Sequence, residues 1–111
     1  MNQYCLACDL KDDESHINAY ENYHKNVWPE IKDSLQQAGI FEMEIFRTGN
    51  RLFMIIQVSP DFSFEKKAAM DLANPTVQLW ESLMSEFQKR IPWAPANVKW
   101  VLMDRIFKFE I

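Results

Sequence analysis

The sequence predicts an α+β fold with elements in the order β-α-β-β-α-β. Three features carry that expectation. Short apolar or alternating runs open the chain, occupy its middle and close it. Between them lie stretches whose apolar residues recur three and four apart. Thr48-Gly49-Asn50 joins two adjacent runs and has the chemistry of a hairpin turn. At 111 residues the chain is expected to form one domain spanning positions 1–111.

Gln3–Leu10 reads as the first strand, closed by the acidic turn Lys11-Asp12-Asp13. From Ile17 the positions Ile17, Tyr20, His24 and Val27, then Trp28, Ile31, Leu35 and Ala38, make one helical stripe. Pro29 has no N–H and starts a second helical segment after Trp28; Gly39 closes that segment as a C-cap. Ile40–Arg47 and Arg51–Val58 read as strands, and the apolar run Leu52–Ile56 places the second at the centre of the sheet. Ser63–Ala73 is helical, and Asn74-Pro75 caps and opens a further helix with Val77, Trp80, Met84 and Phe87 on one stripe. Ile91-Pro92-Trp93-Ala94-Pro95 is a stiff loop, and Val98–Phe109 reads as a long final strand. This is the ferredoxin-like split βαβ arrangement, a four-stranded antiparallel sheet with helices on one face. The other face needs a cover, and a second copy of the chain is the economical one, so a homodimer is expected.

Aromatic residues make up 14% of the chain: eight Phe, four Trp and three Tyr. So many rings exceed what a small core absorbs, which assigns some of them to a pocket or a subunit interface. A formal charge of −4 argues against nucleic acid, whose phosphates need a cationic face. Two glycines cannot build a phosphate-cradling loop. No apolar run approaches a bilayer span, and the N-terminus lacks the pattern of a secretion signal, so no membrane partner and a cytoplasmic location are expected. Cys5 and Cys8 form a C-x-x-C inside a strand, where residues three apart face opposite sides about 10 Å from each other. A disulfide needs Cα atoms within roughly 7 Å, and a zinc site needs two more soft ligands. Two reduced thiols are expected.

Only two histidines can titrate near neutrality. His16 follows Asp12-Asp13-Glu14-Ser15 at a polar helix start and is read as solvated. His24 lies on the buried stripe, with Tyr20 one turn before it and Trp28 one turn after. A phenol, an imidazole and an indole on one face suit proton transfer to a ligand with an apolar side, and suit core packing as well. Glu42 and Glu44 share a strand face, the usual pattern of solvated acids; if that face lines a pocket, they would bind substrate hydroxyls. There is no G-x-S-x-G elbow for nucleophilic catalysis.

The run Tyr20-Glu21-Asn22-Tyr23-His24-Lys25-Asn26-Val27-Trp28-Pro29-Glu30 resembles the Y-x-x-x-H-x-x-x-W-P-E core of the L-rhamnose mutarotases. Gly39 to Phe46, Asn50-Arg51-Leu52-Phe53, Trp80 before Met84, and Met103-Asp104-Arg105-Ile106-Phe107 fit the same family in the same order. The resemblance implies a dimeric α/β barrel of ferredoxin-like subunits and a cofactor-free isomerase. Its reaction would interconvert the anomers of a 6-deoxyhexose such as L-rhamnose or L-fucose. It places Tyr20 and His24 on active-site positions, with His24 as proton donor to the sugar assisted by Tyr20. Trp28 and Trp80 would pack the sugar's apolar face. Trp80 matches one half of a tandem tryptophan pair whose other half is Leu79 here, and Met43 stands where rhamnose enzymes carry a strand tyrosine. Gly39-Ile40-Phe41-Glu42-Met43-Glu44-Ile45 is more similar to the subgroup that acts on L-fucose. The same fold also hosts haem-binding and quinone-forming monooxygenases and catalytically silent ligand-binding dimers, which are the rival readings.

Overall fold

The computed structural model describes residues 2–111. The elements are β1 (Asn2–Leu10), α1 (Glu14–Tyr23), α2 (Pro29–Gln37), β2 (Ile40–Thr48) and β3 (Arg51–Val58), followed by α3 (Phe64–Leu72), α4 (Pro75–Ser85), β4 (Gln88–Lys89) and β5 (Val101–Leu102). Each helix begins where its sequence supplies acceptors or removes donors. Asp13 accepts from the Ser15 N–H, Ser63 from Lys66, and Asn74 from both Thr76 and Val77. Pro29 and Pro75 occupy first-turn positions, where a missing N–H costs nothing.

The sheet runs β2-β3-β1-β4 with every pair antiparallel, and β5 also lies against β1. β3 is central, as its unbroken apolar run requires. Alternation along β1 and β3 turns Leu6, Cys8, Leu10, Leu52, Ile56 and Val58 toward the helices, where all six are buried. Cys8, Leu10 and Leu52 pack with Tyr20, Ile31, Val77, Trp80 and Met84, while Leu6, Ile56 and Val58 pack with Ile40. A ferredoxin-like sheet with one helix-covered face is the result.

Two sequence expectations change. The final strand is not continuous over 98–109: only Val101–Leu102 pair with β1, at Ala7 and Leu6, and the Met103 N–H donates to the Cys5 carbonyl at 2.8 Å. Beyond that the chain leaves the sheet. Ile106 and Ile111 are fully exposed, and Phe107 and Phe109 largely so. The alternating pattern of these residues signals a strand, but a strand forms only where an edge receives it, and alternation does not say which edge. The unexpected β4 takes the end of β1 at Asp9 and Leu10, so β4 and β5 share one sheet position.

The second change is at β2, where the regular alternation expected over Ile40–Arg47 is interrupted by a bulge between Ile40 and Glu42 that leaves Phe41 exposed. Beyond it Met43 pairs with Ile56 and Ile45 with Met54, on the helix-covered face. Glu42 pairs with Gln57 and Glu44 with Ile55, on the opposite face, beside exposed Phe46.

Gly39 sets the corner between α2 and β2. Its φ is +92°, and a Cβ there would lie 2.7 Å from the Ser59 hydroxyl oxygen. Gly39→Ala is therefore expected to destabilise the fold by about 1–3 kcal/mol, from left-handed backbone strain plus the clash. Chemical denaturation checks this; an unchanged midpoint would show that the corner relaxes freely.

Candidate active site

A cavity of about 920 Å³ lies between the sheet and the helices. Leu6, Met43, Ile45, Met54 and Ile56 form its sheet wall; Tyr20, His24, Ile31, Val77, Trp80 and Met84 form its helix wall. The sheet strands thus supply hydrocarbon, and α1 and α4 supply the chemistry.

His24 is the residue at which α1 ends. Its backbone N–H reaches the carbonyls of the last turn, and its ring Nδ1 lies 2.8 Å from the Tyr20 carbonyl oxygen. A carbonyl can only accept, so Nδ1 carries the hydrogen. In the neutral ring Nε2 is then a bare acceptor. The imidazole stacks on the Tyr20 ring with centroids 4.2 Å apart and meets Trp80 edge-on at 5.6 Å. Burial pushes the His24 pKa below its ordinary value, partly opposed by the hydrogen bond to the Tyr20 carbonyl. The ring is therefore neutral at neutral pH.

Tyr20 is 4% exposed, and burial raises its phenol far above the usual range, against a small opposing effect of the Gln88 side chain. It stays protonated and acts as a hydrogen-bonding hydroxyl. Cys8, directly beneath it in the same core cluster, is fully buried. Burial and the neighbouring Asp9 carboxylate push its thiol up to about 12. Both cysteines are free. Cys8 is expected to resist a thiol reagent in the native protein and to react only on unfolding, so native titration should give at most one fast thiol. Two fast thiols would mean that the core cluster around Cys8 opens.

Trp28 does not share the α1 stripe. α1 stops at Tyr23, Pro29 begins α2, and Trp28 is the extended residue between them. It packs edge-on against Trp80 at 5.0 Å and so supports the cavity wall. Trp80 is buried, whereas Leu79 points outward and is 63% exposed. Met43 lines the cavity. Glu42 and Glu44 do not: the bulge in β2 fixes them on the other sheet face, and Glu42 lines only a shallower depression of about 350 Å³ beside Lys32 and Phe41. His16 stays near the surface and pairs with Asp13 at 2.9 Å.

Sequence reasoning passed over a polar wall on the far side of the cavity. Lys67 donates to the buried Asp71 carboxylate at 2.6 Å, and Gln78 donates to the Asp71 carbonyl at 2.8 Å. Glu81 and Lys99 line the same space. The i, i+4 spacing of Lys67 and Asp71 was visible, but a helical ion pair usually marks a solvated face. Lys99 fell within the stretch read as the final strand, and nothing in that reading singled it out; in the structure it precedes β5.

Among the described residues no group of His, Cys, Asp and Glu is arranged to hold a metal ion, and no helix is long and apolar enough to cross a membrane.

Comparisons with known proteins agree with this geometry. The profile of the L-rhamnose mutarotase family matches residues 3–109. An L-fucose mutarotase of Xanthomonas campestris pv. campestris is 47% identical over 109 residues, covering 96% of this chain and 87% of its own. An L-rhamnose mutarotase of Formosa agariphila is 31% identical over 90 residues, covering 78% of this chain and 82% of its own. The crystal structure of L-rhamnose mutarotase FA22100 from Formosa agariphila superposes with a TM-score of 0.72 at 24% identity, over 99% of this chain and 100% of that one, and so shares the fold. With a family profile spanning nearly its whole length, this chain belongs to the L-rhamnose mutarotase family.

Proposed function

We propose that this protein interconverts the anomers of a free 6-deoxyhexose, with L-fucose preferred over L-rhamnose. One observation carries the chemistry: a neutral imidazole, locked by its Nδ1–H to the Tyr20 carbonyl, lines a cavity with its basic nitrogen unengaged by that bond. Ring opening of a hemiacetal requires removal of the anomeric hydroxyl proton as the C1–O5 bond breaks. Nε2 of His24 takes that proton. Rotation about C1–C2 turns the other aldehyde face to O5, and the imidazolium returns the proton as the ring closes. His24 is thus base on opening and proton donor on closing. A single positioned proton-transfer group contributes roughly 10²–10⁴-fold, which is substantial for a reaction that water already performs slowly.

Tyr20 hydrogen-bonds the sugar's oxygens, and Trp80, backed by Trp28, packs against its C–H face. Met43, Ile45 and Ile56 offer hydrocarbon to the 6-methyl group. The reaction transfers protons and breaks and re-forms one C–O bond with no change of oxidation state, so it needs no redox cofactor. The preference for L-fucose rests on the relative named for that sugar, more similar than the one named for L-rhamnose, and on Met43 and Leu79 at the two departures from the rhamnose pattern.

We further infer a cytoplasmic homodimer. The open sheet face carries Phe46, Phe53, Ile55 and Ala7, the outer edge of β2 has no strand beside it, and the 103–111 segment carries exposed alternating apolar residues. A second copy offers each of these a complement. Phe107→Asp with Phe109→Asp is expected to halve the sedimenting mass while leaving the helical signal intact; an unchanged mass would place any interface elsewhere.

Anomer exchange followed by saturation-transfer NMR tests the activity. Wild type should exchange L-fucose faster than L-rhamnose, and His24→Ala should lose at least about 10²-fold with an unchanged unfolding midpoint. Because burial holds the His24 pKa below about 6.5, the rate should be flat above neutrality. It should fall only as acid protonates Nε2, with its midpoint on the acid side of 6.5. A rate that rises with acidification through that window would reverse the assigned order of proton transfers.

A further inference from the structure

Opening the ring needs two partners. As the base takes the anomeric proton, negative charge develops on the ring oxygen, and that oxygen needs a proton. Tyr20 is poorly suited to give one, because burial holds its proton tightly. Lys99 is the other candidate. It lines the same cavity as Tyr20 and His24, in the segment just before β5. Lys99 is half-buried, and among the described residues it makes no salt bridge, although Lys67 across the cavity has Asp71. Glu81, which follows Trp80 on α4, lines the same cavity, so Lys99 shares one space with Tyr20, His24 and the α4 wall.

Resting on the mutarotase reading above, we propose that Lys99 is a second catalytic residue, the acid that protonates the ring oxygen as the C1–O5 bond breaks. The step balances. The O1–H proton passes to Nε2 of His24, and the O1–H electron pair forms the C1=O1 double bond. The C1–O5 pair goes to O5, and O5 takes a proton from Nζ. The open-chain aldehyde is then held by an imidazolium and a neutral amine. On closure the amine retrieves the O5 proton as O5 attacks C1, and His24 returns its proton to O1. A lysine can release a proton, whereas an arginine does not.

The test uses the full-length protein with L-fucose. Lys99→Met is expected to lower kcat about 10²-fold, within the usual range for one proton-transfer group, with KM changed by less than about threefold. Lys99→Arg keeps the charge but cannot release its proton, so it should hold KM near wild type and leave kcat almost as low. Ethylammonium added to Lys99→Ala should restore kcat at least about tenfold. Wild-type kcat in Lys99→Met, or full recovery of kcat in Lys99→Arg, would overturn the proposal, the first by removing any role in turnover and the second by showing that charge alone suffices. A rise in KM with kcat unchanged would also overturn it, reducing Lys99 to a binding contact. Failure of the mutarotase reading is told apart by the wild type, which would then show no exchange in the same measurement.

Discussion

The hydrogen bond from the His24 ring to the Tyr20 carbonyl governs the rest of the site. It exists because α1 ends at Tyr23, which leaves the carbonyls of the last turn without helical partners. His24 satisfies that turn twice, with its backbone N–H and with Nδ1. One helix terminus thereby sets tautomer, ring orientation and basicity together. The stacked Tyr20 ring and the edge of Trp80 then hold the imidazole from both sides.

The cavity follows from a division of labour in the fold. Strands alternate, so the sheet can give one whole face to hydrocarbon, and it does so with Leu6, Met43, Met54 and Ile56. Helices place side chains from different turns at one level, so most polar lining groups come from the helices, joined by Gln88, Asn97 and Lys99. The apolar surroundings also lower the His24 pKa and raise those of Tyr20 and Cys8. Burial therefore supplies a neutral base at neutral pH and keeps the thiol out of the chemistry.

Much of this was legible in the residues. Pro29, Gly39 and Asn74-Pro75 marked helix boundaries that the structure keeps, because each signal is local: the prolines lack an N–H, Gly39 takes a positive φ, and the Asn74 side chain accepts from Thr76 and Val77. The unbroken apolar run in β3 marked the sheet centre for the same local reason. What failed was non-local. A strand pattern at 98–109 says that a segment is ready to pair, not that its own sheet offers an edge, and here only Val101–Leu102 find one. Glu42 and Glu44 were read as sharing a face, and they do; which face depended on the packing of Met43 and Ile45 against the helices. Lys99 was missed because it fell inside that strand pattern, and its meaning comes only from the cavity it borders.

The tautomer of His24 is the most direct test of the account. Long-range 15N–1H correlation of the imidazole at neutral pH, assigned by comparison with His24→Gln, separates a protonated ring nitrogen from a bare one. A neutral ring with hydrogen on Nδ1 and a bare Nε2 is expected. A ring carrying hydrogen on Nε2, alone or together with Nδ1, would contradict the assignment of His24 as the base that opens the sugar.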